Sequence, residues 1–413
     1  MVNHVRGSGA PGLESASSLV SGDVRRHNLE LVAGHLVEHG PSSRSQIADG
    51  TGLTRGAVTA LTRLLVEAGT IREVEPVSAG GKGRPQTLLE LAADDVALVA
   101  LQLDADEATA VLASLAGDVL FRHSEHHGRP MGDPEPVLDV LAAVLERAVA
   151  AAGGMGRRVV DVTVVVFAPV LGNPPMVFGD SDMGWGEVDV LDGLRKRVPG
   201  LPESLSLHSD AGFAAMAEFD LLPGVKDMVY LKSNSGIGGA VILDGRLLTG
   251  AHSLAGGFGH LPMDHQGERC VCGQRGCLVL VAGPDVVLKS AGLGEELESL
   301  GLGSALGELT ERIARGDARA VEAFDAAADW VAWALHVISR TLDPQTVVLG
   351  GYWSVLADRI ARSFAEHAPI SPSPDSYLPT IRAGQLENDA TLLGAIRESR
   401  KRLLREPLEV RLI

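Results

Sequence analysis

Four side chains in one short stretch carry the densest chemistry of the chain: His260, Cys270, Cys272 and Cys277. One imidazole and three thiolates form a closed tetrahedral donor set of the kind that holds a structural zinc ion. Gly273 and Gly276 let the Cys-x-Cys-Gly-x-x-Gly-Cys loop turn tightly enough to wrap an ion. His265 is the alternative imidazole, and a redox or free-thiol cluster is the alternative chemistry. With four ligands filled, no position remains for an activated water, so the expected role is structural and not Lewis-acid catalysis. These are the only cysteines in 413 residues, too few and too odd in number for a disulfide framework, which points to a reducing compartment.

A second group is cationic and lies near the N-terminus: Arg44, Arg55, Arg63, Lys82 and Arg84. The elements that position it are legible. Val24 to His39 has helical spacing, with Leu29, Val32, Leu36 and Val37 on one face and Gly40-Pro41 as its stop. Ser43 to Gln46 has capping-box spacing and opens a short helix. Gly50-Thr51-Gly52 turns the chain, and Thr54 caps a third helix that runs to about Ala68. On that helix Val58, Leu61, Leu64 and Leu65 are expected inside, while Arg55, Thr59 and Arg63 recur every four residues outside. With Thr70 to Val77 as a wing strand, this is a winged helix-turn-helix pattern. Its third helix would enter a major groove, with Thr54, Arg55 and Thr59 near its start and Arg63, Arg44 and Ser42 on phosphates. A small helical cap with solvated arginines is the alternative. The Lys82-Gly83-Arg84-Pro85 run favours the first reading, because an extended, cationic, glycine-containing arm suits a minor groove.

Length and composition limit the rest. A chain of this length allows two or three folding units. Hydrophobic residues make up 45% and charged residues 22%, which suits a globular chain and excludes a disordered or fibrous one. The longest apolar run, Val162 to Leu171, is strand-sized, so no membrane span is expected, and Met1 to Ser21 lacks an apolar signal core. A cytoplasmic protein is the expectation. Net charge is −17, yet residues 21–90 carry 8 basic and 8 acidic side chains while residues 91–413 carry 27 and 44. A neutral head with clustered arginines on an acidic body fits local contact with double-stranded DNA and not a wholly basic coat.

Beyond the head, strands alternate with helices in a repeated order: strands Val96 to Leu103 and Ala108 to Ser114, a helix Pro136 to Ala152, a strand Val159 to Phe167, then strands Met228 to Lys232, Gly239 to Leu243 and Thr346 to Leu349 with long helices near 320–340. Two α/β lobes around a cleft follow, with ligands expected at strand ends. Arg26-x-Asn28, Gly40-Pro41-x-Ser43-Arg44, Thr51-Gly52-Leu53-Thr54 and Gly83-Arg84-Pro85 resemble the head of regulators of the ROK family (repressor, open reading frame, kinase). Ser235-Gly236-Ile237-Gly238-Gly239, Leu243-Asp244-Gly245-Arg246 and Gly259-His260 through Cys277 resemble that family's body. The resemblance implies a winged helix-turn-helix followed by a two-lobed, actin-like (ribonuclease-H-like) sugar-kinase body, with zinc on His260, Cys270, Cys272 and Cys277. The expected division is a tail 1–20, a DNA-binding domain 21–77, a linker 78–90, a first lobe of 91–208 plus about 392–413, and a second lobe 209–391.

The resemblance also sets expectations for catalysis. Asp210 stands where the family has its catalytic aspartate. The family's first phosphate motif, Asp-x-Gly-[Gly/Ala]-Thr, corresponds to Gln102-Leu103-Asp104-Ala105-Asp106, which puts acids where a phosphate would sit. Asparagines expected at Ser209 and Gly212, and glutamates expected at Gly257 and Val279, are missing. Only Asp210 and His260 remain as candidate effector ligands, and a buried N-cap is an equal reading of Asp210. Kinase activity is therefore not expected, and Asp210 is vestigial. The implied function is a DNA-binding regulator, a repressor of carbohydrate-metabolism genes, that works as a homodimer or homotetramer so that paired heads read two half-sites. The effector is open: a sugar, another small molecule, a partner protein or none. An active hexose kinase, and a body that serves only as a dimerisation platform, are the rival readings. Trp185 is expected in the core; Tyr352 and Trp353 are expected either to stack on a ligand or to shield a hinge.

Overall fold

The structure, a computed structural model, describes residues 21–75, 87–92, 94–129, 131–178, 183–367 and 378–405. Lys82 and Arg84 lie outside these. The described chain divides into two compact units, one up to Ala92 together with Leu403–Arg405, the other from Asp94 to Arg402.

The first unit contains helices α1 (Ser21–His39), α2 (Arg44–Thr51) and α3 (Arg55–Glu67) and strands β1 (Ser42–Ser43), β2 (Ile71–Val74) and β3 (Leu88–Leu91). Its core is Leu29, Val32, Leu36, Ile47, Val58, Leu61, Leu65, Ile71 and Leu89, drawn from one stripe of each helix and one face of the sheet. The capping box forms as its spacing requires: Ser43 N–H donates to Gln46 Oε1 at 2.8 Å, and Ser43 Oγ accepts from Gln46 N–H. Gly52, at φ 71°, ends α2 in the left-handed region, and Thr54 Oγ1 accepts from Ala57 N–H to open α3. Of the strand expected over Thr70 to Val77, Ile71–Val74 forms β2 among the described residues, and its partner is β3, which starts within the stretch expected as linker; β3 bonds β2 on one edge and β1 on the other. Leu89 of β3 is fully buried, which is what draws this segment into the sheet.

The second unit holds two five-stranded sheets of the same plan. In the first lobe, β4 (Val96–Leu103), β5 (Glu107–Ala113) and β6 (Val119–His126) form an antiparallel meander, and β7 (Arg158–Val166) and β11 (Leu205–Ser209) extend it in parallel beyond β4. In the second, β12 (Met228–Ser233), β13 (Ile237–Leu243) and β14 (Arg246–Leu247) form the meander, and β15 (Thr346–Gly351) and β16 (Thr380–Ala383) the parallel side. A small sheet of β8 (Val170–Leu171), β9 (Met176–Phe178) and β10 (Glu187–Val188) adjoins the first lobe. Strand β4 is buried along its whole length, as expected for the centre of a sheet covered on both faces. Helices α4 (Pro134–Gly154) and α5 (Val190–Arg197) cover the first sheet, and α6 (Asp210–Asp220) starts where β11 ends. The second lobe carries α7 (Val279–Ala282), α8 (Pro284–Ser290), α9 (Gly294–Leu300), α10 (Leu302–Ala314), α11 (Ala318–Leu342) and α12 (Ala357–Glu366); α13 (Ala390–Arg405) follows β16. Trp185 packs in the first lobe's core, while Tyr352 and Trp353 are buried in the second's, so packing accounts for Trp353 outright. Among the described residues no helix is long and apolar enough to cross a membrane.

Candidate functional site

The clustered thiols come together. His260, at the end of a short 3-10 turn, meets Cys270, Cys272 and Cys277 so that all four ligand atoms lie within 4.8 Å of one another. His265 is not among them. Cys270 Sγ lies 3.6 Å from His260 Nδ1, and Cys272 Sγ lies 3.5 Å from Cys277 Sγ. Ligands of a tetrahedral ion with bonds of ~2.3 Å stand about 3.7 Å apart, so the donor set fits zinc. The loop is held from both sides: Cys270 N–H donates to Gln274 O at 2.8 Å, and Pro262 bridges Cys277. Gly276, at φ 58°, must be glycine, since a Cβ there would collide with the carbonyl of Asp264. Burial, and then the sulfurs of Cys272 and Cys270, push the Cys277 thiol up to about 12. A bound cation would favour the thiolate form of all three sulfurs.

The cleft between the two sheets holds Ser209, Asp210, Gly257, His260 and Val279 around a cavity of about 140 Å³. Asp210 is not an N-cap. Ser209 occupies the cap position, and Asp210 is the first helical residue of α6. Its carboxylate instead forms a buried ion pair with Lys232 of β12, a residue the sequence did not single out. Both side chains are only 7% exposed. Burial pushes the Asp210 carboxyl up against the pull of Lys232. Burial alone would lower Lys232, but the charges of Asp210 and then Asp104 hold it above its ordinary value. Gly212 lies under Leu247 and does not line this cavity.

A wider cavity of about 430 Å³ continues the cleft beyond the β4–β5 turn, lined by Gln102, Asp104, Asp106, Glu107 and, from the other lobe, Leu302 and Gly351. Asp104 caps its own turn, accepting from Ala105 N–H at 2.8 Å, and Gln102 Nε2 donates to it at 3.3 Å. The two acids the sequence placed at this turn therefore line the cleft.

In the head, α3 exposes Thr54, Arg55, Gly56, Thr59, Ala60 and Arg63 on one side. Thr59 Oγ1 donates to Arg55 O at 2.8 Å. Arg63 pairs with Glu67 at 2.8 Å, with the arginine side chain 80% exposed. A shallow groove runs along this face and is completed by Arg25 and Asn28 of α1, neither of which was assigned a role from sequence. Arg44 is more committed: its Nε donates to Thr62 Oγ1 at 3.2 Å, and its Nη2 to Glu73 at 2.7 Å. Ser42, expected on a phosphate, is buried, and its hydroxyl donates to Gly40 O at 3.0 Å. Its side chain serves the turn between α1 and α2.

Comparison with known proteins groups the chain with both regulators and kinases. It is 23% identical over 383 residues to the DNA-binding transcriptional repressor Mlc of Escherichia coli, covering 90% of this chain and 92% of Mlc. It is 22% identical over 267 residues to the xylose repressor of Bacillus spizizenii, covering 65% of this chain and 68% of the repressor. The N-acetylmannosamine kinase of Citrobacter koseri is 34% identical over 199 residues, 48% of this chain and 65% of the kinase. Among solved structures, a ROK family transcriptional regulator homologous to the E. coli protein aligns with TM-score 0.71 at 24% identity, over 94% of this chain and 98% of that one. A ROK family glucokinase from Streptomyces griseus aligns with TM-score 0.61 at 22% identity, over 74% of this chain and 99% of the kinase. The fold is thus the mixed α/β fold of ROK sugar kinases and regulators. The ROK family model matches residues 98–400, nearly the whole second unit, and the chain belongs to the ROK family.

Proposed function

We propose that this chain is a DNA-binding transcriptional regulator, a repressor, whose ROK body no longer transfers phosphate. The observation that carries the reading is one of coverage. The repressor Mlc and the regulator structure are matched over nine-tenths of this chain, whereas the glucokinase is complete within three-quarters of it. The surplus over a kinase has the content of a winged helix-turn-helix: a capping-box helix α2, a glycine turn, and a helix α3 with an exposed polar and cationic face. Arg55 and Thr59 are its base-reading residues, Thr54 orients the start of α3, and Arg63, Arg44 and Arg25 meet phosphates. Lys82 and Arg84 belong to the minor-groove arm. A single head of this size makes too few contacts for specificity, so the working form is a homodimer or a pair of dimers, with two heads on two half-sites.

The zinc proposed on His260, Cys270, Cys272 and Cys277 staples the loop that forms one wall of the cleft. A catalytic aspartate must take a proton from the attacking hydroxyl. Asp210 is instead buried against Lys232, whose ammonium pairs with one of its two carboxylate oxygens. Carboxylates at Asp104 and Asp106 oppose a triphosphate in the adjoining cavity.

The kinase relative at 34% identity is the specific observation in favour of the other reading. Incubation of the full chain with ATP, magnesium and a panel of hexoses and N-acetylhexosamines separates the two. The regulator reading expects no sugar-dependent ADP release above the level of an Asp210→Asn variant. Release that this variant abolishes would make the protein a kinase.

A further inference from the structure

The β4–β5 turn, Asp104-Ala105-Asp106, belongs to the first lobe's meander, yet its tip lies in the second lobe. Ala105 is 5% exposed and packs in the apolar cluster of the second lobe, with Phe258, Leu278 and Leu302. Asp106 is 9% exposed, and its Oδ2 accepts from the backbone N–H of Leu302, the first residue of α10, at 2.6 Å. Helix α10 has no cap of its own: its N-cap residue is Gly301, at φ 84° and ψ 170°, with no side chain to offer. Gly301 is also what admits the carboxylate, since a Cβ there would stand 2.6 Å from Asp106 Oδ2. The turn is anchored on its own side as well, where Asp106 O accepts from His127 N–H at 3.0 Å.

We propose that this turn is a built-in latch, with Asp106 as a tethered anion on the N-terminus of α10, and that it holds the two lobes of the body closed without a ligand. An anionic group at a helix N-terminus satisfies orphan N–H groups and meets the positive end of the helix dipole. In a two-lobed body that work commonly falls to a ligand bound between the lobes, which favours the closed arrangement by touching both. Here the chain supplies the bridging anion itself. Two ion pairs act in the same direction. Arg129, on the loop after β6, grips Asp285 of α8 with both nitrogens, at 3.0 and 3.1 Å, and Arg122 of β6 pairs with Asp389 just before α13. Closure is therefore the resting state of this body, and opening requires release of the turn.

The test uses the full chain and two readouts: hydrogen exchange followed by mass spectrometry, and small-angle scattering. In Asp106→Ala the amides of the first turn and a half of α10 should exchange on the order of tenfold faster, because a hydrogen bond to a charged group is lost. The radius of gyration should rise, while strands β7 and β12 keep their protection. Asp106→Asn, which retains an acceptor, should stay closer to the parent on both readouts. Faster exchange confined to α10 with unchanged scattering would reduce Asp106 to a local cap and overturn the latch, as would no change in either. If Asp106→Ala does not fold, Arg129→Ala takes its place. It should accelerate exchange across α8–α10 and enlarge the particle, and unaltered exchange there would equally overturn the proposal.

Discussion

Cys272 is the exposed member of the four-ligand group, so its replacement disturbs packing least while removing a thiolate. Cys272→Ser should abolish bound zinc, measured by elemental analysis of the purified chain, and lower the melting temperature by on the order of 5–10 °C. His265→Asn should leave metal content unchanged. Full metal in the serine variant, or loss in the asparagine variant, would show that the ligands are different ones. The group was legible because its ligands crowd into eighteen residues with glycines at the turns, and local spacing dictates local geometry. Lys232 was not legible. It sits near the end of a buried strand, and its partner Asp210 is 22 residues away on another element, so only the packing of β12 against α6 brings ammonium to carboxylate. Of the two sequence readings of Asp210, the N-cap is the one the structure sets aside, because Ser209 holds that position.

The proposed function divides the exposed face of helix α3 between two kinds of work, and substitutions should separate them. Arg55→Ala should cost about 1–3 kcal/mol of binding to a selected operator and relax preference at one base position. Arg63→Ala should weaken binding evenly across sequences and reduce the slope of log K against log salt by about one. Mobility shifts over a salt series would check both; identical behaviour of the two variants would contradict the division. The exposed pair of Arg63 with Glu67 is no obstacle, because solvent-exposed ion pairs are weak. Among the elements, those with chemical punctuation were legible: the Ser43–Gln46 box, the Gly52 turn and the Thr54 cap appear where the sequence puts them. Strands β1 and β3 lacked such marks. Two serines and a Leu-Leu-Glu-Leu run say little by themselves; β3 becomes a strand because β2 offers an edge and Leu89 fills the core, and β1 because β3 offers the next edge. Ser42 shows the same limit. A hydroxyl beside a helix start reads as a phosphate contact until burial and Gly40 O claim it.

At the scale of the molecule, the body is one topological unit used twice, a three-stranded meander with two parallel strands added beyond its first strand. The repeated order of strands was visible in the sequence because buried strands carry apolar runs, Val96 to Leu101 in β4 and Val164 to Val166 in β7. What was not visible is how the turns of one copy meet the helices of the other. Asp106 on Leu302 joins residues 196 positions apart, and nothing in either neighbourhood announces the pairing. The proposed function assigns the specific work of the chain to the head. The direct measurement is selection of genomic fragments by the purified full chain at about 0.15 M salt, where specific and non-specific binding separate. Enriched fragments should share a motif of two symmetric half-sites about 10 base pairs, or a multiple of that, apart. Fragments retained no better than bulk DNA, with no common motif, would contradict the regulator outright.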